Sequence, residues 1–154
     1  YINKISSYAF GDCKYLRNVS FQKDSNLQII DSHAFDSSSL ETIYIPRSIT
    51  KIGMYSFYNC KQIKLIDIPP DSKIEIIDRY ALSYFPIKSF SIPSKVKIIN
   101  NYAFCSCKKL EILEFNEECE IKYIEKDAFN FSSIKFLMIP HKMKQKYNFQ
   151  KIFQ

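Results

Sequence analysis

Apolar residues fall along this chain in two alternating phrases. The first is an isoleucine followed by a small residue and a large apolar one: Ile5…Ala9-Phe10, Ile30…Ala34-Phe35, Ile52…Ser56-Phe57, Ile77…Ala81-Leu82, Ile99…Ala103-Phe104 and Ile124…Ala128-Phe129. The second begins ten or eleven residues after each isoleucine, and its apolar residues fall at its first, fourth and sixth positions: Leu16/Val19/Phe21, Leu40/Ile43/Ile45, Ile63/Ile66/Ile68, Ile87/Phe90/Ile92, Leu110/Leu113/Phe115 and Ile134/Leu137/Ile139. Alternation over its last positions is the period of a strand with one buried face, and β-branched and aromatic residues dominate it. Proline follows directly at Pro46, Pro69, Pro93 and Pro140, where a residue without an amide donor closes a strand. Between proline and the next isoleucine, pairs such as Ile49/Ile52 and Val96/Ile99 predict a weaker strand on the opposite wall. The Ala-Phe stretch has room only for a helical turn, because isolated helices need about 12 to 15 residues to persist.

The isoleucines step by 25, 22, 25, 22 and 25 residues, so the unit is a 47-residue pair of unequal repeats. Self-similarity of this kind marks a stack of coils, each burying its apolar face against its neighbours. The longer members carry their extra residues in polar turns at 22–28, 69–75 and 116–122, which places the insertions on one edge. One domain over 1–154 is expected, with six repeats in 1–140 and a C-terminal cap in 141–154. The chain opens inside a repeat at Tyr1-Ile2-Asn3-Lys4-Ile5, so either an excised fragment or an upstream partner segment that covers the first stacking face is expected. In the tail, Met143, Tyr147, Ile152 and Phe153 form a rough helical stripe with four lysines largely outside it. A membrane-lying helix shares that pattern, but four lysines without a strong apolar face bind weakly, which favours the cap.

Composition narrows the function classes. No apolar run of 18 residues and no charged-then-apolar leader occurs, so stable membrane insertion is not expected. Four of the charges behind the net +6 are the tail lysines. Acids and bases intermingle elsewhere, without the repeated basic stripe of a nucleic-acid groove, so no nucleic-acid partner is expected. Cys13, Cys60 and Cys107 recur every 47 residues. Two layers at about 4.8 Å each set their Cα atoms about 9 to 10 Å apart, beyond the roughly 7 Å reach of a disulfide. They read as a column of buried thiols, while Cys105 and Cys119 fall outside it and leave a bridge between themselves open. With only Gly11 and Gly53, two histidines (His33 and His141, read as exposed variable positions) and no metal-ligand spacing, neither catalysis nor a cofactor is expected. Asn18-Val19-Ser20 and Asn130-Phe131-Ser132 fit the N-glycosylation pattern at the level chance supplies.

The combined phrase, L-x-x-I-x-I-P, a turn, then I-x-x-x-A-F-x-x-C-x-x-L, resembles the BspA-like leucine-rich repeat family of bacterial and protist surface proteins. Ile43-Tyr44-Ile45-Pro46, Ile66-Asp67-Ile68-Pro69, Ser91-Ile92-Pro93 and Tyr102 to Leu110 carry the resemblance, which spans nearly the whole chain; Ser56 and Leu82 depart from it. The resemblance implies a β-rich leucine-rich repeat solenoid, a right-handed superhelix. It would have a concave parallel sheet of about six short strands, short helical turns and no large helices. It also implies a non-catalytic protein-binding or adhesion module, part of a cell-surface or extracellular antigen. A structural spacer and a cytoplasmic scaffold are the alternatives, the latter favoured by free cysteines.

A binding face follows from the strand pattern. With the apolar positions buried, the second, third and fifth residues of each strand block face outward. These columns nominate Tyr44, Leu65, Asp67, Lys88, Ile112, Glu114, Phe136 and Met138 as the contact surface for a host or matrix protein or a second copy. A charged column, Arg17, Glu41, Lys64, Lys88, Glu111 and Lys135, would select among partners.

Overall fold

The computed structural model describes residues 2–22 and 24–153; Tyr1, Lys23 and Gln154, which bound the expected domain and cap and fall in the first polar turn, lie outside the described residues. In chain order the strands are β1 (Lys4–Ile5), β2 (Asn18–Val19), β3 (Ile29–Ile30), β4 (Thr42–Tyr44), β5 (Lys51–Ile52), β6 (Leu65–Asp67), β7 (Ile76–Ile77), β8 (Ser89–Ile92), β9 (Ile98–Ile99), β10 (Ile112–Phe115), β11 (Tyr123–Ile124) and β12 (Phe136–Met138). Two short helices follow, α1 (His141–Lys146) and α2 (Phe149–Ile152).

All pairing is parallel and between successive coils, which makes the fold a β-solenoid of about six turns. The weaker strands that hold the anchor isoleucines form the continuous wall, a six-stranded sheet in the order β1-β3-β5-β7-β9-β11. Ile30, Ile52, Ile77 and Ile99 are fully buried, and their registers align Ile30 with Ile52 and Ile77 with Ile99. The core between the walls is laid down by the Ala-Phe phrase. Phe10 stacks on Phe35 and Phe35 on Phe57 at 5.1 and 5.2 Å, and Phe104 stacks on Phe129 at 5.1 Å. Leu82 fills the fourth rung, fully buried but without a ring.

The Ala-Phe turn is not helical. Tyr8, His33, Tyr55, Tyr80 and Tyr102 have φ between 56° and 63°, and Asp12, Ser37, Asn59, Tyr84, Ser106 and Phe131 have φ between 54° and 61°. Placing these residues in the left-handed region turns alternate amides of the arch, their own and that of the residue midway between them, toward the next coil. Thus Tyr55 donates to the Arg79 carbonyl, Phe57 to Ala81 and Asn59 to Ser83, at 3.0, 2.9 and 3.1 Å. A helical turn would have spent those amides within its own coil; the arch becomes a third hydrogen-bonded ladder between coils.

The strand wall departs from one six-stranded sheet. It comprises two three-stranded sheets, β2-β4-β6 and β12-β10-β8, and no backbone hydrogen bond joins β6 to β8. Side-chain volume accounts for the break. Where other repeats carry Cys13, Cys60 and Cys107, repeat four carries Phe85, edge-on to Phe57 at 6.4 Å, which replaces the ring that Leu82 lacks. Phe90 stands where Ile43 and Leu113 stand, edge-on to Phe104 at 5.1 Å. Two rings under this wall, with Pro86 leading into β8, separate the strands while the opposite wall stays paired. The consequence is visible in burial: Ile43, Ile45, Leu113 and Phe115 are buried, whereas Ile66 and Ile68 are half-exposed, like Val19 and Phe21 of the first strand and Leu137 and Ile139 of the last.

The tail packs on the last coil. Met143 and Ile152 are buried, Phe153 stacks on Phe129 at 4.9 Å, and Phe149 meets Phe115 edge-on. The Tyr147 hydroxyl and the Lys146 ammonium donate to the Ile121 carbonyl at 2.9 and 3.3 Å. At the other end the first coil leaves an open hollow of about 700 Å³, floored by Ile5, Phe10, Val19, Phe21 and Leu27.

Candidate functional site: the outward face of the strand wall

The alternation that buries Ile43 turns Thr42 and Tyr44 outward, and the same holds for Leu65 and Asp67 on β6. Together with the residues after β2 they form a groove of about 690 Å³ lined by Asn18, Ser20, Thr42, Tyr44, Arg47, Leu65 and Asp67. Tyr44 is 36% and Leu65 55% exposed. The Thr42 hydroxyl donates to the Asn18 side chain at 2.6 Å, and Arg47 pairs with Asp71 at 3.1 Å. The groove thus offers an aromatic ring, an aliphatic anchor, a guanidinium and a carboxylate, a set suited to contacts with a folded protein or an extended peptide.

Three of the eight nominated residues, Tyr44, Leu65 and Asp67, line this groove together. The other five lie on the second sheet, across the break: Lys88 and Glu114 are exposed, Ile112 is half-buried, and Phe136 and Met138 are 63% and 49% exposed. The tail therefore does not fold over Phe136 and Met138. Sequence reasoning omitted Asn18, Ser20, Thr42 and Arg47 from the site; the first three stand in the same outward columns, and Arg47 directly follows Pro46.

The charged column pairs internally. Glu41 lies between Arg17 at 3.7 Å and Lys64 at 2.5 Å, and Glu111 between Lys88 at 3.9 Å and Lys135 at 2.8 Å. The hydrogen bond and charge of Lys64 hold the Glu41 carboxyl below its ordinary range, and Lys135 does the same for Glu111. Each half of the wall carries a cation, an anion and a cation, and the break sets Lys64 next to Lys88 in the series.

A second aromatic column runs along the arch. Tyr8, His33, Tyr55, Tyr80 and Tyr102 stack face to face at 4.6, 4.8, 4.7 and 4.9 Å. His33 Nδ1 lies 2.7 Å from the Asp36 carboxylate. His33, expected as an exposed variable position, is a half-buried rung of this stack. The signal was in the sequence: an aromatic residue directly precedes the small residue in five of six repeats.

The five cysteines are free, which removes the open Cys105–Cys119 bridge. Cys60 and Cys107 are buried and donate to the Phe35 and Leu82 carbonyls at 3.1 and 3.2 Å, while Cys13 is half-exposed beside the open first coil. Burial pushes the Cys60 thiol up to about 11 and the Cys107 thiol up to about 12. Among the described residues, no three of His, Cys, Asp and Glu are grouped to hold a metal, and no helix is long and apolar enough to cross a membrane.

Coils joined by parallel ladders, a core column of phenylalanines and an outward strand face define a solenoid repeat protein. The chain belongs to the BspA type leucine rich repeat region family, whose model matches residues 1–111 and 28–153 with six copies. Among solved structures it is similar to a leucine-rich repeat protein from Bacteroides ovatus ATCC 8483, with 23% identity and a TM-score of 0.67 over 90% of this chain and 41% of that one. It is also similar to the pneumococcal vaccine antigen PcpA, with 23% identity and a TM-score of 0.60 over 88% of this chain and 32% of that one. It therefore spans less than half the length of either, and at such identities the likeness is one of fold. No curated protein matches the chain in sequence.

Proposed function

We propose that this domain is a non-catalytic binding module that presents the outward face of its strand wall to a protein partner, as part of a cell-surface antigen. The observation that carries the reading is the groove over β2, β4 and β6, where Tyr44 and Leu65 stand exposed between a cation and a carboxylate. A tyrosine and an arginine are among the residue types that dominate the affinity of protein interfaces, and charged groups around them set specificity. The likeness to the pneumococcal vaccine antigen PcpA supports display outside a cell. Five free thiols favour the second reading, a scaffold in a reducing compartment.

Binding of the labelled domain to surfaces coated with host matrix proteins tests the proposal. A Tyr44→Ser/Leu65→Ser variant should lose most of the bound signal, and a Lys97→Ser variant on the opposite wall should keep it. Equal binding by all three proteins, or loss only in the opposite-wall variant, would overturn the reading.

A further inference from the structure

The break in the strand wall leaves an unpaired strand edge in the middle of the molecule. Elsewhere the wall's entry bonds follow a fixed pattern, in which two successive amides donate to one carbonyl of the preceding coil: Glu41 and Thr42 to Arg17, Lys64 and Leu65 to Glu41, Glu111 and Ile112 to Lys88, and Lys135 and Phe136 to Glu111; after β4, Ile45 also donates to the Asp67 carbonyl at 2.8 Å. The counterparts across the break, the amides of Ile68, Lys88 and Ser89, make no such bond. On the opposite wall the same two coils stay paired in parallel, Lys51 with Ile76 and Ile52 with Ile77. Beneath this edge Ile66 and Ile68 are half-exposed, although their equivalents in the neighbouring coils are buried.

The charged column states what would complete the edge. Read along the wall it runs Arg17, Glu41, Lys64, break, Lys88, Glu111, Lys135. Every cation within a half pairs with that half's one acid, and the only two neighbours of like sign are Lys64 and Lys88, whose side chains are 71% and 77% exposed. An acid set between them would continue the alternation of sign without interruption.

We propose that the free edge of β6 is a second docking site, which takes an extended segment of a partner protein by strand addition. The segment has an acidic residue that sits between Lys64 and Lys88, followed by alternating apolar residues that cover Ile66 and Ile68. Strand addition draws affinity from main-chain hydrogen bonds and specificity from alternate side chains. An exposed strand edge over apolar side chains is the setting in which it occurs. The chain's own stretch Glu41-Thr42-Ile43-Tyr44-Ile45 has this order of residues and shows that it fits a rung of this wall. The site uses the edge of β6 and not the groove over its outward face, so it stands apart from the function proposed above.

The test uses a synthetic peptide holding Glu-Thr-Ile-Tyr-Ile between solubilising lysine-free flanks, titrated against the labelled chain and followed by backbone amide shifts. Saturable binding is expected, with the largest shifts at Ile68, Lys88 and Ser89. Replacing the peptide glutamate by lysine should weaken binding at least about tenfold, as should the double variant Lys64→Glu/Lys88→Glu with the original peptide, because like charges then meet. The double variant with the lysine peptide should recover binding, a rescue that a merely unfolded variant cannot show. Absence of saturable binding, indifference to both reversals, or shifts confined to Thr42 and Tyr44 would overturn the proposal; the last would leave the groove as the only peptide site. Tyr44→Ser should lower matrix binding without affecting the peptide, which keeps the two readings separable.

Discussion

Ser56 occupies the position that alanine holds at Ala9, Ala34, Ala81, Ala103 and Ala128, and its fully buried hydroxyl has no hydrogen-bond partner. Desolvating an unpaired hydroxyl costs about 1 to 3 kcal/mol, so Ser56→Ala should raise stability by about 1 kcal/mol, read from the shift of a denaturant midpoint at unchanged slope. Its neighbour in the core column behaves oppositely. Phe57 is fully buried between Phe35 and Phe85, and Phe57→Ala should cost about 3 to 5 kcal/mol through the cavity it leaves. The same burial governs the thiols. Their folded pKa values stand above the unfolded value near 9, so the folded chain holds protons that the unfolded chain has released. The stability they contribute is complete below pH 9 and is lost as pH rises toward 11 and then 12. Alkylation at pH 8 should label Cys60 and Cys107 only after denaturation, while Cys13 reacts in the folded protein; mass spectrometry distinguishes these outcomes.

At the scale of the element, the arch sets backbone strain against ring stacking. A non-glycine residue in the left-handed region costs about 1 to 2 kcal/mol, and an aromatic pair returns about 0.5 to 1.5 kcal/mol, so a ring with two stacked neighbours recovers what its backbone costs. Tyr80 is such a ring, with φ 57° and faces against Tyr55 and Tyr102. Tyr80→Ala loses the stack and keeps the strain, whereas Tyr80→Gly loses both. The glycine variant should therefore be the more stable by about 1 kcal/mol, in thermal melts of the two proteins. The arch also shows where sequence reasoning reached its limit. The strands and the phenylalanine column follow from apolar spacing, because burial repeats with the chain's own period. The left-handed backbone does not, since tyrosine at these positions carries no local preference for it; only the inter-coil amide bonds and the stack above and below select it. The same is true of the break at β6. Phe85, Pro86 and Phe90 were each legible as departures from the repeat, but their joint effect on strand pairing depends on how the two rings pack against Phe57 and Phe104.

Across the whole molecule, stacking places stability in the interfaces between coils, so the ends matter more than their length. Residues 141–153 cover the last coil through Met143, Ile152 and Phe153, and we propose that they act as its cap. Deleting them should bring fast hydrogen exchange to Ile134 to Ile139 or aggregation; a truncated chain that stays monomeric and equally protected but loses liposome binding would make the tail a membrane segment instead. The outward columns of the strand wall were legible in the sequence, and three of the nominated residues meet in one groove. Their division between two sheets was not, because the columns assume an unbroken ladder. That interruption underlies the whole picture: one wall continuous, the other split into halves with an open edge between them. Amide hydrogen exchange resolved by residue measures it most directly. Ile68 and Ser89 should exchange rapidly while their counterparts Ile45 and Ile112 stay protected by their bonds to Asp67 and Lys88. Equal and strong protection at all four amides would mean a single six-stranded strand wall, and would contradict the account.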